Sequence, residues 1–197
     1  MKKSIGAKTL VYPAPVLIVG TYDAEKRPNV MVVAWGGICC SQPPCVAVSL
    51  RKATYSHGSI VKRRAFTVSI ASEDQVKEVD YFGMASGRTE NKFEKTGLTP
   101  VASELVDAPY VAECPLVLEC RVLHTVEIGL HTEFIGEILD IKADEAVLRE
   151  DGLPDMEKVK PIAYEPVNGR YFRVGSYLAE AHSIGREIET NETSFIA

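Results

Sequence analysis

Chemistry is first suggested by residue types and spacing in residues 51–59. There an apolar run ends in a cation, Arg51, and is followed by the hydroxyls of Thr54 and Ser56 where a helix should begin. Free backbone N–H groups, a helix dipole, a guanidinium and two hydroxyls converging on one point would hold a phosphate. The same residues also describe a capped helix beside a solvated arginine, and the block alone leaves both readings open. Residues 86–98 pose a similar choice. A Ser-Gly turn precedes a helix expected over 89–95 and stopped by Gly97, so Lys92 falls in the first turn, where a cation opposes the helix dipole. An outside anion would account for it, and a surface lysine is the plain alternative.

Trp35 is the single tryptophan and is followed by Gly36 and Gly37, which would let a planar group approach the backbone; the alternative is a core tryptophan. His131 begins an expected strand, His57 stands near the phosphate-like block, and His124 and His182 have no chemical company. A satisfied or solvated histidine is the default for each. The chain has no Gly-x-Ser-x-Gly elbow, His-Glu-x-x-His pair, P-loop or Gly-rich dinucleotide fingerprint.

Short apolar, β-branched runs must position these groups. Residues 16–20, 30–34, 45–50 and 65–70 read as strands, with a polar hairpin loop over 22–28 and a break at Pro43-Pro44. Alternation returns over 116–123 and 132–141. Helices are expected between 51 and 64, after Ser72 with Val76, Val79 and Phe82 at helical spacing, and over 144–150 ending near Gly152. Many short strands, few helices and no βαβ alternation indicate a mainly β fold, an antiparallel barrel with a few helical insertions, in one domain over residues 1–197. The tail, about 182–197, is expected to fray or dock on a partner, since its end, residues 194–197, is apolar in patches.

The composition, 46% apolar and 25% charged, is that of an ordinary globular protein. A net charge of -5 argues against a nucleic-acid binder with a broad basic face. The one basic cluster, Arg51, Lys52, Lys62, Arg63 and Arg64, reads at its far end, 62–64, as a solvated helix terminus. No apolar stretch of membrane-spanning length and no secretory leader is evident, which predicts a cytoplasmic protein. Cys39, Cys40, Cys45, Cys114 and Cys120 are expected to be reduced core thiols with no disulfide or metal role.

Five blocks in order carry a resemblance: residues 28–35 (PNVMVVAW), 43–56 (PPCVAVSLRKATYS), 66–70 (FTVSI), 86–93 (SGRTENKF) and 131–138 (HTEFIGEI). Over about residues 10–175 the chain resembles the flavin reductase family with the FMN-binding split β-barrel, and within it the flavoredoxin-like proteins. The resemblance implies a Greek-key-like split barrel, a homodimer and one non-covalent FMN near the subunit interface. It places Asn29, Met31 and Val32 along the flavin or ribityl chain and Trp35 beside the ring. Arg51, Thr54, Ser56 and Lys92 would take the phosphate and neighbouring hydroxyls, and His131 and Tyr164 would close the ring end. Lys92 or His131 would stabilise reduced flavin, and the donor would be a nicotinamide nucleotide or an electron-transfer protein. Two departures stand out: Ser69 where many relatives carry Asn, and Leu130 where many carry Asp before the histidine. A pyridoxamine-phosphate-oxidase-like enzyme and a non-enzymatic FMN carrier or sensor are the alternatives of other classes.

Overall fold

The computed structural model describes residues 1–186 and residue 188. Its strands are β1 (Ala14–Pro15), β2 (Leu17–Tyr22), β3 (Pro28–Val33), β4 (Gly36–Ser41), β5 (Pro44–Arg51), β6 (Ala65–Ile70), β7 (Pro100–Ala102), β8 (Pro109–Val111), β9 (Leu116–Ile128), β10 (His131–Ala143), β11 (Ile162–Glu165) and β12 (Arg170–Arg173). The helices are α1 (Tyr55–Arg63), α2 (Val76–Met84), α3 (Lys92–Thr96) and α4 (Met156–Val159). Seven strands form one antiparallel sheet in the order β3-β2-β6-β9-β10-β5-β4.

That order has a geometric consequence. The two edge strands, β3 and β4, are consecutive in the chain and joined only by Ala34 and Trp35. A link of that length reaches about 11 Å at full stretch, whereas the edges of a flat seven-stranded sheet would stand roughly 29 Å apart. The sheet must therefore curl until its edges nearly meet. The closure is not a continuous ladder: β3 and β4 are not paired, and the bond from Ser49 N–H to the Trp35 carbonyl, at 2.8 Å, extends the β4–β5 pairing by one step into the link. The fold is a split β-barrel.

Two apolar clusters line the two faces of this wall. Leu17, Val19, Val48, Leu50, Phe66, Val68 and Phe134 fill the barrel. Val16, Ile18, Val30, Val79, Phe82 and Phe93 form the second cluster, which seats α2 and α3 outside. Successive β2 residues alternate between the two, which is why its run is apolar throughout rather than every second residue. The Tyr22 to Pro28 connection is a hairpin loop, organised by Asp23, whose carboxylate accepts from the backbone N–H of Glu25 and Arg27 and from the Arg27 guanidinium.

Several expectations need correction. The helix placed over 144–150 is only a 3-10 turn, Glu145–Val147; Leu148 then leaves it to bridge Pro154. Helix α3 starts at Lys92 rather than residue 89, because the Asn91 side chain caps it by accepting from Glu94 N–H, while Thr89 belongs to the Ser86 turn. Strand β4 was not expected, and it uses Gly36: a side chain there would meet the Ala47 carbonyl at 2.5 Å. Gly36 therefore serves strand pairing, whereas a side chain at Gly37 would begin in open space. Two of the five cysteines, Cys39 and Cys40, are exposed on β4 instead of lying in the core. The basic helix end is not simply solvated, since Arg63 donates to the Tyr22 and Asp23 carbonyls and Arg64 to those of Val122 and Leu123. Residues 194–197, the apolar end of the tail, lie outside the described residues.

Candidate functional site

At the barrel seam the exposed side of β3, the Ala34–Trp35 link and the end of β5 enclose a cavity of about 470 Å³. Its walls include Met31, Val32, Trp35, Leu50, Arg51, Gly83, His131, Tyr164 and Tyr171. Strand pairing sets the positions. His131, first residue of β10, lies opposite Arg51, last of β5, so an imidazole and a guanidinium share the rim. Tyr164 on β11 pairs with Tyr171 on β12, their rings 5.5 Å apart, and the Tyr171 hydroxyl donates to Asp80 of α2. This end mixes apolar and aromatic side chains with the polar groups of Ser49, Arg51, Thr54, Asp80 and His131, a make-up that suits a planar organic group.

A second, narrower cavity of about 190 Å³ adjoins the first, sharing Met31, Val32, Thr54 and Gly83. Its polar lining residues are Asn29, Thr54, Ser56, Ser86, Arg88 and Lys92, set among Met31, Val32, Tyr55 and Phe82. It sits at the start of α1, whose cap residue Thr54 makes no side-chain capping bond and instead donates its hydroxyl to the Arg51 carbonyl. The Tyr55 and Ser56 N–H groups that open this nine-residue helix thus take no side-chain cap at the cavity, as an anion site requires, while His57 N–H bonds the Thr54 carbonyl.

Behind this wall the buried side-chain polar atoms have partners, except the Thr21 hydroxyl, whose residue pairs with Asn29. Asn29 Nδ2 donates to Ser56 Oγ at 2.9 Å, both side chains being buried. Gly87 closes over them, where a side chain would fall 2.2 Å from Asn29 Oδ1 and 2.6 Å from the Tyr55 ring. The Lys92 ammonium is 4% exposed and donates to the carbonyls of Val30 at 2.8 Å and Phe82 at 2.7 Å, and burial lowers it to about 8. The first-turn lysine is therefore not a surface cation waiting for an anion. It ties β3 to the end of α2, and one of its three N–H donors remains for the cavity.

All ten residues singled out as cofactor-binding line these two adjoining cavities: Trp35, Arg51, His131 and Tyr164 the larger, Asn29, Ser56 and Lys92 the smaller, and Met31, Val32 and Thr54 both. Arg51 stands at the ring-sized end; the guanidinium lining the polar end is Arg88, which donates to the Ala53 carbonyl and lies over the Tyr55 ring. Arg88 was legible in residues 86–93 as a cation after a Ser-Gly turn. Ser69 lies elsewhere, its hydroxyl accepting from Val111 N–H, so its departure from the family pattern does not touch the groove. His57 takes the satisfied role. Its Nε2 bonds Thr132 Oγ1 at 2.8 Å, that hydroxyl donates onward to Glu127, and burial lowers the imidazole's pKa.

A flavin joins a flat tricyclic ring to a polar ribityl chain, and the residues present suit both parts. Among the described residues no group of three metal-ligating side chains could hold a metal ion, and no helix is long and apolar enough to cross a membrane. Residues 9–173 match the family described as "Flavin reductase like domain". The flavoredoxin of Desulfovibrio vulgaris (Miyazaki F) is 57% identical, superposing with a TM-score of 0.90 over 94% of this chain and 100% of that one. The flavoredoxin of Methanosarcina acetivorans is 30% identical, with a TM-score of 0.89 over 95% and 99%. An uncharacterized protein of Archaeoglobus fulgidus is 38% identical over 146 residues, 74% of this chain and 80% of its own. The chain belongs to the flavin reductase-like family of flavin-binding oxidoreductases, and within it is flavoredoxin-like.

Proposed function

We propose that this protein is a cytoplasmic homodimer that holds one FMN per chain without a covalent bond and passes electrons from a nicotinamide nucleotide or an electron-transfer protein to an acceptor. The observation that carries the reading is the convergence of ten residues, scattered from position 29 to position 164, on one two-part groove. A bound flavin supplies the redox chemistry, and the protein supplies binding, orientation and electrostatics.

In this reading Met31, Val32 and Trp35 form the wall for the ring, and His131 and Tyr164 close it. Thr54, Ser56, Lys92 and the N–H groups opening α1 receive the phosphate, with Arg88 beside them. Lys92 also keeps a positive charge in a water-poor wall, where it favours the more negative state of a neighbouring group. Arg51, at the rim with His131, is left facing the ring or ribityl part.

Titration of FMN and riboflavin into wild-type, Arg88→Ala and Arg51→Ala proteins tests the assignment. Losing one charge-assisted hydrogen bond costs about 1.5–3 kcal/mol, so Arg88→Ala should weaken FMN roughly ten- to a hundredfold and leave riboflavin nearly unchanged. Arg51→Ala should affect both flavins alike. Equal affinity of the wild type for the two flavins would defeat the phosphate assignment. Sedimentation showing a monomer that keeps FMN at low protein concentration would defeat the dimer.

A further inference from the structure

Three of the five cysteines meet at the closed end of one hairpin, in a part of the sheet the groove does not use. In the β4–β5 pairing Cys40 lies directly opposite Cys45, one step inside the Ser41–Pro44 pair that closes the turn. Cys40 is exposed and Cys45 is buried, and residues directly opposite in an antiparallel ladder have neighbouring Cβ atoms on one face of the sheet. Cys39 is the bulge residue between Ile38 and Cys40, its thiol donating to the Cys45 carbonyl at 3.6 Å.

Geometry separates the pairings. Residues directly opposite in an antiparallel pair have Cα atoms about 4.5–5.5 Å apart, inside the roughly 4.4–6.8 Å that a disulfide spans. Adjacent Cys39 and Cys40 are about 3.8 Å apart across their peptide bond, too close for an unstrained bridge. Cys114 and Cys120 are buried, and burial pushes their thiols well up.

We propose that Cys40 and Cys45 form a redox-active dithiol that closes to a cross-strand disulfide by exchange with a low-molecular-weight disulfide. Cys40, the accessible member, loses its proton to solvent, and its thiolate attacks one sulfur of the small disulfide; the other half leaves as a thiolate and is protonated. Cys45 then loses its proton, and its sulfur attacks Cys40 in the mixed disulfide, releasing the second small thiol. Two protein thiols are oxidised to one disulfide, and one small disulfide is reduced to two thiols. Burial pushes the Cys45 thiol up, so this resolving step is the slower of the two. The pair is independent of the flavin reading.

The test uses the full-length protein, incubated natively with oxidised glutathione and then returned to dithiothreitol. Thiols reached by a bulky maleimide and the mass of the peptide carrying residues 39–45 are read at each stage. The wild type should go from two fast-labelling thiols, Cys39 and Cys40, to one. The peptide should lose two hydrogens without gaining glutathione, and dithiothreitol should reverse both changes. Cys39→Ser should keep the bridge, and Cys40→Ser and Cys45→Ser should lose it. Cys40→Ser alters an exposed position and keeps the test decisive if Cys45→Ser does not fold. A bridge that survives in Cys40→Ser or Cys45→Ser would overturn the assignment, as would a glutathione adduct on Cys40 that Cys45 never displaces.

Discussion

The two ends of the groove share the strand β3 and are built on opposite principles. The ring-sized end is made of half-exposed side chains, Met31, Trp35, His131 and Tyr164, around a cavity of about 470 Å³ that no buried hydrogen bond crosses. The phosphate-sized end is a closed set of buried polar groups in which Asn29 bonds Ser56, Lys92 bonds two backbone carbonyls and Gly87 has no room for another atom. A polar network in a water-poor wall has no slack, because removing one partner strands another. An apolar surface that is half in water tolerates a change of shape. The groove should therefore fail in different ways at its two ends.

The largest effect should come from Lys92→Met, which keeps the bulk and leaves the Val30 and Phe82 carbonyls unpartnered; a loss of about 3 kcal/mol is expected in urea unfolding. The pH dependence has a definite sign. Burial holds this ammonium at about 8 against an ordinary 10.5, so between those values the unfolded chain binds the proton more tightly than the folded one. Stability from this group rises with pH across that window, and the wild type's lead over Lys92→Met should widen from pH 7.5 to pH 10. FMN binding should behave inversely. A phosphate beside the ammonium favours the charged form, so FMN affinity should fall as pH climbs past about 8, with riboflavin affinity flat. Parallel curves for the two flavins would mean that Lys92 does not meet the phosphate.

Gly87→Ala should have an intermediate effect, about 1–3 kcal/mol, because the added carbon falls 2.2 Å from Asn29 Oδ1 and the loop or the Asn29–Ser56 bond must give way. FMN binding should weaken more than riboflavin binding, and equal weakening would show that the loop serves both ends of the groove.

Trp35→Phe should cost the least, under about 1.5 kcal/mol of stability, since the side chain is only half-buried. The wild-type tryptophan should nevertheless lose most of its fluorescence when flavin binds. Equal emission with and without flavin, after correction for absorption, would move the ring away from β3.

Most of the barrel was legible because strand formation leaves local marks. The run over 65–70 coincides with β6, and Gly97 ends α3 in the left-handed conformation a glycine tolerates. The segment over 144–150 misled because Leu148 leaves the 3-10 turn to bridge Pro154, with Val147 its one buried residue. The expected site residues came from an ordered set of motifs that resembles a known family, and the structure brings them to two adjoining cavities, whereas the partner of each was not legible. Nothing around position 92 marks that lysine as a clasp between two carbonyls, since Val30 lies 62 positions away and Phe82 ten.

The sequence by itself determined most of the long strands, because periodicity and turn chemistry are properties of neighbours along the chain, and its resemblance to a known family supplied the list of expected cofactor-binding residues. Only the tertiary structure decided that Arg88 rather than Arg51 stands at the polar end, that Lys92 is buried, and that Cys40 faces Cys45. Each of those facts depends on which strands and helices lie side by side once the sheet has curled shut. That closure follows from a link of two residues having to join the sheet's opposite edges, a constraint that appears only when the strand order is known.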